Sequence, residues 1–258
     1  MSSKKDSTFQ TFLVAFLTCA VCGVFVSTAA VMLRPLQVEN QELFKNKNIL
    51  LACGLLERGE KISAQKCREI LDKEVRVLKV DFATGKIVAE GAEALKYDER
   101  LAAKTPGQNV SISGPYKLGL TSRGRFGTVY ATKDRVVLPI VGKGLWSVMS
   151  GFIALDSESL NTVECLLFYD HAETAGLGGE IENPRWQNAW VGKSAFEGNT
   201  PKIHVIKGVA PKDSPFEVDG ISGSTLTCNG VNATVGYWLS QYRPFLTKYA
   251  ENKGENVQ

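Results

Sequence analysis

Three short segments combine residues capable of chemistry with glycines that let a backbone approach a ligand: GKGLWS (Gly142–Ser147), HAETAGLGGE (His171–Glu180) and DGISGSTLT (Asp219–Thr227). The last is the densest. Ser222, Ser224, Thr225 and Thr227 supply four hydroxyls, Gly220 and Gly223 loosen the backbone, and an apolar periodic run follows. A helix N-terminus offers unsatisfied N–H groups and a partial positive charge, so hydroxyls and glycines at that point suit a phosphate, either bound or esterified. The same residues also suit an ordinary helix cap with a tight loop, although a cap needs only one hydroxyl. Residue types alone leave both readings open.

Familiar templates do not fit. No GxxxxGK[ST] phosphate loop is present, and Gly176–Glu180 (GLGGE) lacks the GxGxxG spacing of a dinucleotide fold. His171 and Glu173 stand as in the HxE of zinc deaminases, but no PCxxC follows. No nucleophile elbow supports a Ser–His–Asp triad. The only histidines, His171 and His204, cannot make a three-histidine metal site, and Cys53, Cys67, Cys165 and Cys228 have no CxxC spacing. No catalytic residue and no metal ligand is therefore assigned. A disulfide between Cys53 and Cys67 stays open for a domain outside the cytoplasm.

The elements that would position these segments follow from periodicity. The stretch after residue 40 reads as helical, broken near Gly59, and Ser63 is a candidate N-cap for a helix with Ile70 and Leu71 facing inward. VRVLKVD (Val75–Asp81) and ATGKIV (Ala83–Val88) read as a hairpin, and residues 91–125 are polar and glycine-rich. Two strands flank the charged turn at Lys133-Asp134. Two more apolar β-rich runs follow, and KIHVIKG (Lys202–Gly208) is a short strand. From Val231, apolar residues recur at Val235, Trp238, Leu239, Tyr242, Phe245, Leu246 and Tyr249, one broad helical face that Pro244 should interrupt. The expected fold class is α+β: an N-terminal transmembrane helix, then a soluble domain with a mainly antiparallel sheet flanked by helices.

The chain has 258 residues, 22% of them charged, and a net charge of +3, with no basic stripe of the kind that binds nucleic acid. Phe12 to Leu33 carries no charge, enough to span a bilayer as a helix and longer than a signal-peptide core. Lys4 and Lys5 precede it, whereas Arg34, Glu39 and Glu42 follow. This charge bias keeps the N-terminus in the cytoplasm and the large C-terminal part in the periplasm of a bacterium. The expected divisions are a cytoplasmic tail at 1–11, a transmembrane helix at 12–33 and a periplasmic domain at 34–258. The span holds no carboxylate to coordinate an ion.

DGISGSTLT resembles the Asp-Gly-x-x-Ser-Gly-Ala-Thr motif to whose final threonine bacterial flavin transferases join FMN through its phosphate. The order of short span, GLWS, HAETAGLG and DGISGSTLT resembles the C subunits of Na⁺-translocating NADH:quinone oxidoreductases. The G subunits of Rnf electron-transport complexes share the motif and form the alternative; an anchored scaffold domain without redox chemistry is a further one. Ser224 stands where alanine is commoner, and Ala175 where proline is usual. The resemblance implies a covalent FMN on Thr225. Ser222, Gly223, Leu226 and Thr227 would lie around its phosphate, and Leu145, Trp146 and Ser147 beside the isoalloxazine. Glu173 and Thr174 would bond the ring, Leu177 and Gly178 would allow close approach, and Lys207 is a weaker contact. Asp219 would serve recognition by the transferase. The implied role is an electron relay in the bacterial inner membrane, between an iron–sulfur centre and the next flavin subunit, in a complex that oxidises NADH, reduces ubiquinone and exports Na⁺.

Overall fold

The computed structural model describes residues 8–255. The chain divides into two compact units, Met1–Lys45 and Asn46–Gln258. Residues 1–7 of the expected cytoplasmic tail lie outside the described residues. In the first unit every described residue is helical, and Phe12, Phe16, Phe25 and Met32 are exposed. The helix, α1 (Thr8–Cys53), is long and apolar enough to cross a membrane. It does not end at Leu33, and Pro35 lies inside it. Most residues after Pro35 are good helix formers, so the loss of one backbone hydrogen bond does not stop it.

The second unit opens with the last turns of α1, where Ile49, Leu50, Ala52 and Cys53 are buried. Helix α2 (Ala64–Glu74) follows, and its N-cap Ser63 accepts from the Lys66 N–H at 3.2 Å. Cys67 is the residue α2 buries; Ile70 and Leu71 are only half-buried. Cys53 and Cys67 are both free thiols.

Strands β1 (Arg76–Asp81) and β2 (Ile87–Glu90) form the expected hairpin. Residues 91–125 hold two short helices, α3 (Ala92–Leu95) and α4 (Glu99–Lys104), and a small ladder of β3 (Asn109–Ser111) with β4 (Ser122–Gly124). The main sheet continues through β5 (Phe126–Ala131), β6 (Arg135–Lys143), β7 (Val148–Asp156) and β8 (Val163–Asp170). Its order is β2-β1-β5-β6-β7-β8, with every neighbouring pair antiparallel. Pro139 sits within β6 because the β5 pairing involves only Val136 and Val137, so no ladder N–H is needed there on that side.

A 3₁₀ turn (Gly178–Glu182) and α5 (Pro184–Asn188) follow β8. Short pairs then link β9 (Phe196–Glu197) with β10 (Thr200–Pro201), and β11 (His204–Val205) with β12 (Glu217–Val218). The chain closes with α6 (Thr225–Glu255). Val231, Val235, Trp238, Leu239, Tyr242, Phe245 and Leu246 of α6 are buried in the core with Leu78, Val80, Phe82, Val129, Leu138 and Ile140 of the sheet side. Phe82 meets Trp238 at 5.7 Å and Tyr242 at 5.0 Å between ring centroids. Pro244 does not interrupt α6. Burial of Tyr242, Phe245 and Leu246 around it outweighs the roughly 3 kcal/mol that a proline costs a helix.

Candidate functional site

The three glycine-rich segments come together at one end of the sheet. Leu145, Trp146 and Ser147 form the turn between β6 and β7; Glu173, Thr174 and Leu177 lie in the loop after β8, and Gly178 opens the 3₁₀ turn that follows. Asp219, Ser222 and Gly223 lead into α6, whose first turn carries Thr225, Leu226 and Thr227. Glu173 joins them. Its carboxylate accepts from the backbone N–H groups of Leu145 at 3.1 Å, Trp146 at 2.9 Å and Ser147 at 3.3 Å. The Thr227 hydroxyl donates to it at 2.6 Å. The residue is 8% exposed. Burial pushes its pKa up, but the bonds from Thr227, Trp146, Leu145 and Ser147 outweigh burial and hold it below the ordinary 4.5.

Glycines make this convergence possible. A Cβ on Gly144 would stand 2.6 Å from Glu173 Oε1, and one on Gly178 would stand 2.5 Å from Thr227 Oγ1 and 2.9 Å from Glu173 Oε2. A Cβ on Gly230 would meet the Lys143 carbonyl oxygen at 2.5 Å, so α6 presses directly on the end of β6. Gly178 was legible in the sequence; Gly144 lies within GKGLWS with no role of its own there, and nothing local marks Gly230.

The loop residues hold their own turns. The Thr174 carbonyl accepts from Leu177 N–H at 3.1 Å and Gly179 N–H at 2.8 Å, while its side chain is exposed. The Ser147 hydroxyl accepts from Ala172 N–H at 2.7 Å. His171 is a packed residue: its Nδ1 accepts from Glu173 N–H at 3.1 Å, and its Nε2 lies 3.1 Å from Glu182 Oε1.

The motif before α6 is held from behind. The Asp219 carbonyl accepts from Trp186 Nε1 at 2.8 Å, and its carboxylate accepts from Ala210 N–H at 2.7 Å. Trp186 was missed by sequence reasoning, since nothing ties a tryptophan on α5 to a loop 33 residues on. The Gly220 N–H donates to the Gly208 carbonyl at 2.8 Å, which brings the Lys207 segment alongside. The Lys207 side chain is exposed and makes no hydrogen bond or ion pair with the described residues. Gly223 has φ +73°, a conformation that favours glycine, and the turn closes by Ser224 N–H to the Ile221 carbonyl at 3.1 Å.

Ser224 bears on the cap reading. It occupies the N-cap position, and its carbonyl accepts the first helical bond from Cys228 N–H at 2.9 Å. Its hydroxyl, buried in a residue 5% exposed, makes no hydrogen bond and does not cap the helix. The first turn of α6 therefore keeps N–H groups that no side chain caps, with Thr225 an exposed residue beside them. Around this point Leu145 is 42% exposed and Trp146 68% exposed, with Leu177 and Leu226 also uncovered. An anion-ready helix end beside uncovered apolar and aromatic side chains fits a ligand with a phosphate and a flat ring system.

Residues 144–240 match the model of the FMN-binding domain family, which takes in most of these segments. The C subunit of the Na⁺-translocating NADH-quinone reductase of Vibrio parahaemolyticus is 40% identical over 96% of this chain and 97% of its own. The corresponding protein of Yersinia pestis is 36% identical over 97% and 96%. Among solved structures, the NqrC of Shewanella oneidensis superposes with a TM-score of 0.73 at 26% identity, covering 82% of this chain and 99% of its own. The C subunit from Parabacteroides distasonis gives a TM-score of 0.64 at 26% identity over 83% and 97%. With identity of this order along nearly the whole of both chains, the chain belongs to the NqrC family of Na⁺-translocating NADH-quinone reductase subunits, part of an oxidoreductase complex, and carries that family's FMN-binding domain.

Proposed function

We propose that this protein holds FMN as a phosphoester on Thr225 and relays electrons within the membrane complex between an iron–sulfur centre and the next flavin subunit. The observation that carries the reading is exposed Thr225 in the first turn of a helix whose own N-cap serine leaves it uncapped. Esterification would form the bond from Thr225 Oγ1 to the FMN phosphorus while a flavin transferase breaks the phosphoanhydride bond of an activated FMN donor. The leaving phosphate takes the bonding electron pair as the threonine hydroxyl gives its proton to solvent, with Asp219 as the recognised acid of the motif. Ser222, Gly223, Leu226 and Thr227 would surround the phosphate and adjoining chain, and Lys207 could approach from the neighbouring loop. Leu145, Trp146 and Leu177 would cover the ring, with Ser147, Thr174 and Gly178 at its edge.

The flavin, when attached, supplies the electron-carrying chemistry; the protein supplies position and surroundings. A tether suits this role, because a relay must keep a constant distance to its donor and acceptor and never release its carrier. In this reading the domain does not bind NADH itself. The stretch at 12–33 of α1 anchors it in a bacterial inner membrane, and the lysines ahead of the span favour a cytoplasmic N-terminus and a periplasmic domain. Protein from its native host should retain a flavin absorption spectrum after denaturation and desalting. A colourless protein that still assembles into the complex would instead support a scaffold role.

A further inference from the structure

Two carboxylates are buried among the described residues, Asp81 and Glu173. Asp81 is paired: Arg125 approaches its Oδ2 at 3.3 Å, and the two charges offset one another. Glu173 differs. All four of its donors are neutral, three backbone N–H groups and the Thr227 hydroxyl, and no cation pairs with it among the described residues. Dipoles stabilise a charge without cancelling it, so the negative monopole persists in the site. Its hydrogen-bonding capacity is also spent. An ionised carboxylate has about four lone-pair sites, and the protein fills them, so Glu173 is not free to bond a ligand ring directly.

We propose that Glu173 is a positioning residue whose unpaired, buried charge fixes the Leu145–Ser147 turn against the first turn of α6 and lowers the reduction potential of a flavin seated there. The proposal rests on the reading that FMN occupies this site. Adding negative charge to the ring next to a fixed anion is disfavoured by Coulomb repulsion, which a low-dielectric site strengthens. Glutamine in the same place removes the charge. The three N–H dipoles and the positive end of α6 then point into the site uncompensated, which acts in the same direction, toward a more positive potential.

The test is a visible-absorbance redox titration of the full-length, flavin-loaded protein in detergent. Glu173→Gln should shift the midpoint potential to more positive values. Glu173→Asp keeps the charge but cannot reach all four donors; its potential should stay nearer to wild type. A merely structural role predicts the aspartate variant to be disturbed at least as much as the glutamine one. Flavin-loaded Glu173→Gln at the wild-type potential overturns the proposal.

Should that variant fail to fold, the infrared difference spectrum between reduced and oxidised wild-type protein takes its place. A carboxylate band should respond to flavin reduction and should shift in Thr227→Val, which removes one donor and leaves the charge. A spectrum with no responding carboxylate overturns the proposal. Wild-type protein without attached flavin overturns the reading on which it rests, an outcome distinct from a loaded variant at unchanged potential.

Discussion

The Thr227 hydroxyl donates to Glu173 Oε2 at 2.6 Å, across 54 residues of sequence, and so ties the loop after β8 to the first turn of α6. Through the same carboxylate the β6–β7 turn is tied to both. Thr227→Val should cost roughly 1–3 kcal/mol, the usual loss when a buried charged acceptor loses a donor. Denaturant unfolding of the two proteins measures it, and an unchanged midpoint would contradict this account of the bond.

The pH dependence follows from the lowered pKa of Glu173. Burial opposes ionisation, yet the Thr227 hydroxyl and the Trp146, Leu145 and Ser147 N–H groups favour it more. A depressed carboxyl contributes stability that is complete above its ordinary value of 4.5 and is lost as pH falls through the lower folded value. The gap in melting temperature between wild type and Glu173→Gln should therefore be full near neutral pH and narrow below 4.5. A gap that widens on acidification would show the sign to be wrong.

Gly178→Ala should damage the site more than Gly176→Ala. A Cβ at 178 meets Thr227 Oγ1 at 2.5 Å and Glu173 Oε2 at 2.9 Å, whereas one at 176 meets nothing within 4 Å. The first change overpacks the junction, typically at about 1–3 kcal/mol. The second carries only the cost of φ +74°, on the order of 1 kcal/mol. Unfolding curves and flavin incorporation of the two variants, measured side by side, check the order.

Ser224→Ala should be neutral or stabilising. A buried hydroxyl without a partner carries an uncompensated desolvation cost of about 1–3 kcal/mol, and this one caps nothing. A loss of stability would show that the hydroxyl does serve the helix.

Cys53 should resist alkylation in the folded protein. Burial pushes its thiol up to about 12, and Cys67 is raised by burial as well, so little thiolate forms at neutral pH. Thiol titration before and after denaturation measures this; rapid reaction of the native protein would count against it.

Much of the second unit was legible because its signals are local. The β1–β2 hairpin, the strands around Lys133-Asp134, the Ser63 cap and the buried face of α6 each follow from neighbouring residues. The continuity of α1 past Leu33 and of α6 through Pro244 was not legible, because proline argues against a helix locally and packing or flanking propensity decides otherwise. At the site, residue types in DGISGSTLT left cap and anion readings both open. The Ser224 hydroxyl, buried without a hydrogen-bond partner, supplies no cap, and no local signal in the sequence foretold that. The role of Glu173 was least visible, since its four donors come from positions 145, 146, 147 and 227, and no spacing rule brings these together.

The most direct measurement is intact mass and peptide mapping of the protein purified from its native host, denatured and desalted. The account predicts that the chain is heavier by FMN less one water, with the added mass on the peptide containing Thr225, and that Thr225→Ala abolishes it while Thr227→Val does not. An unmodified Thr225, or a flavin carried on another residue, would contradict it.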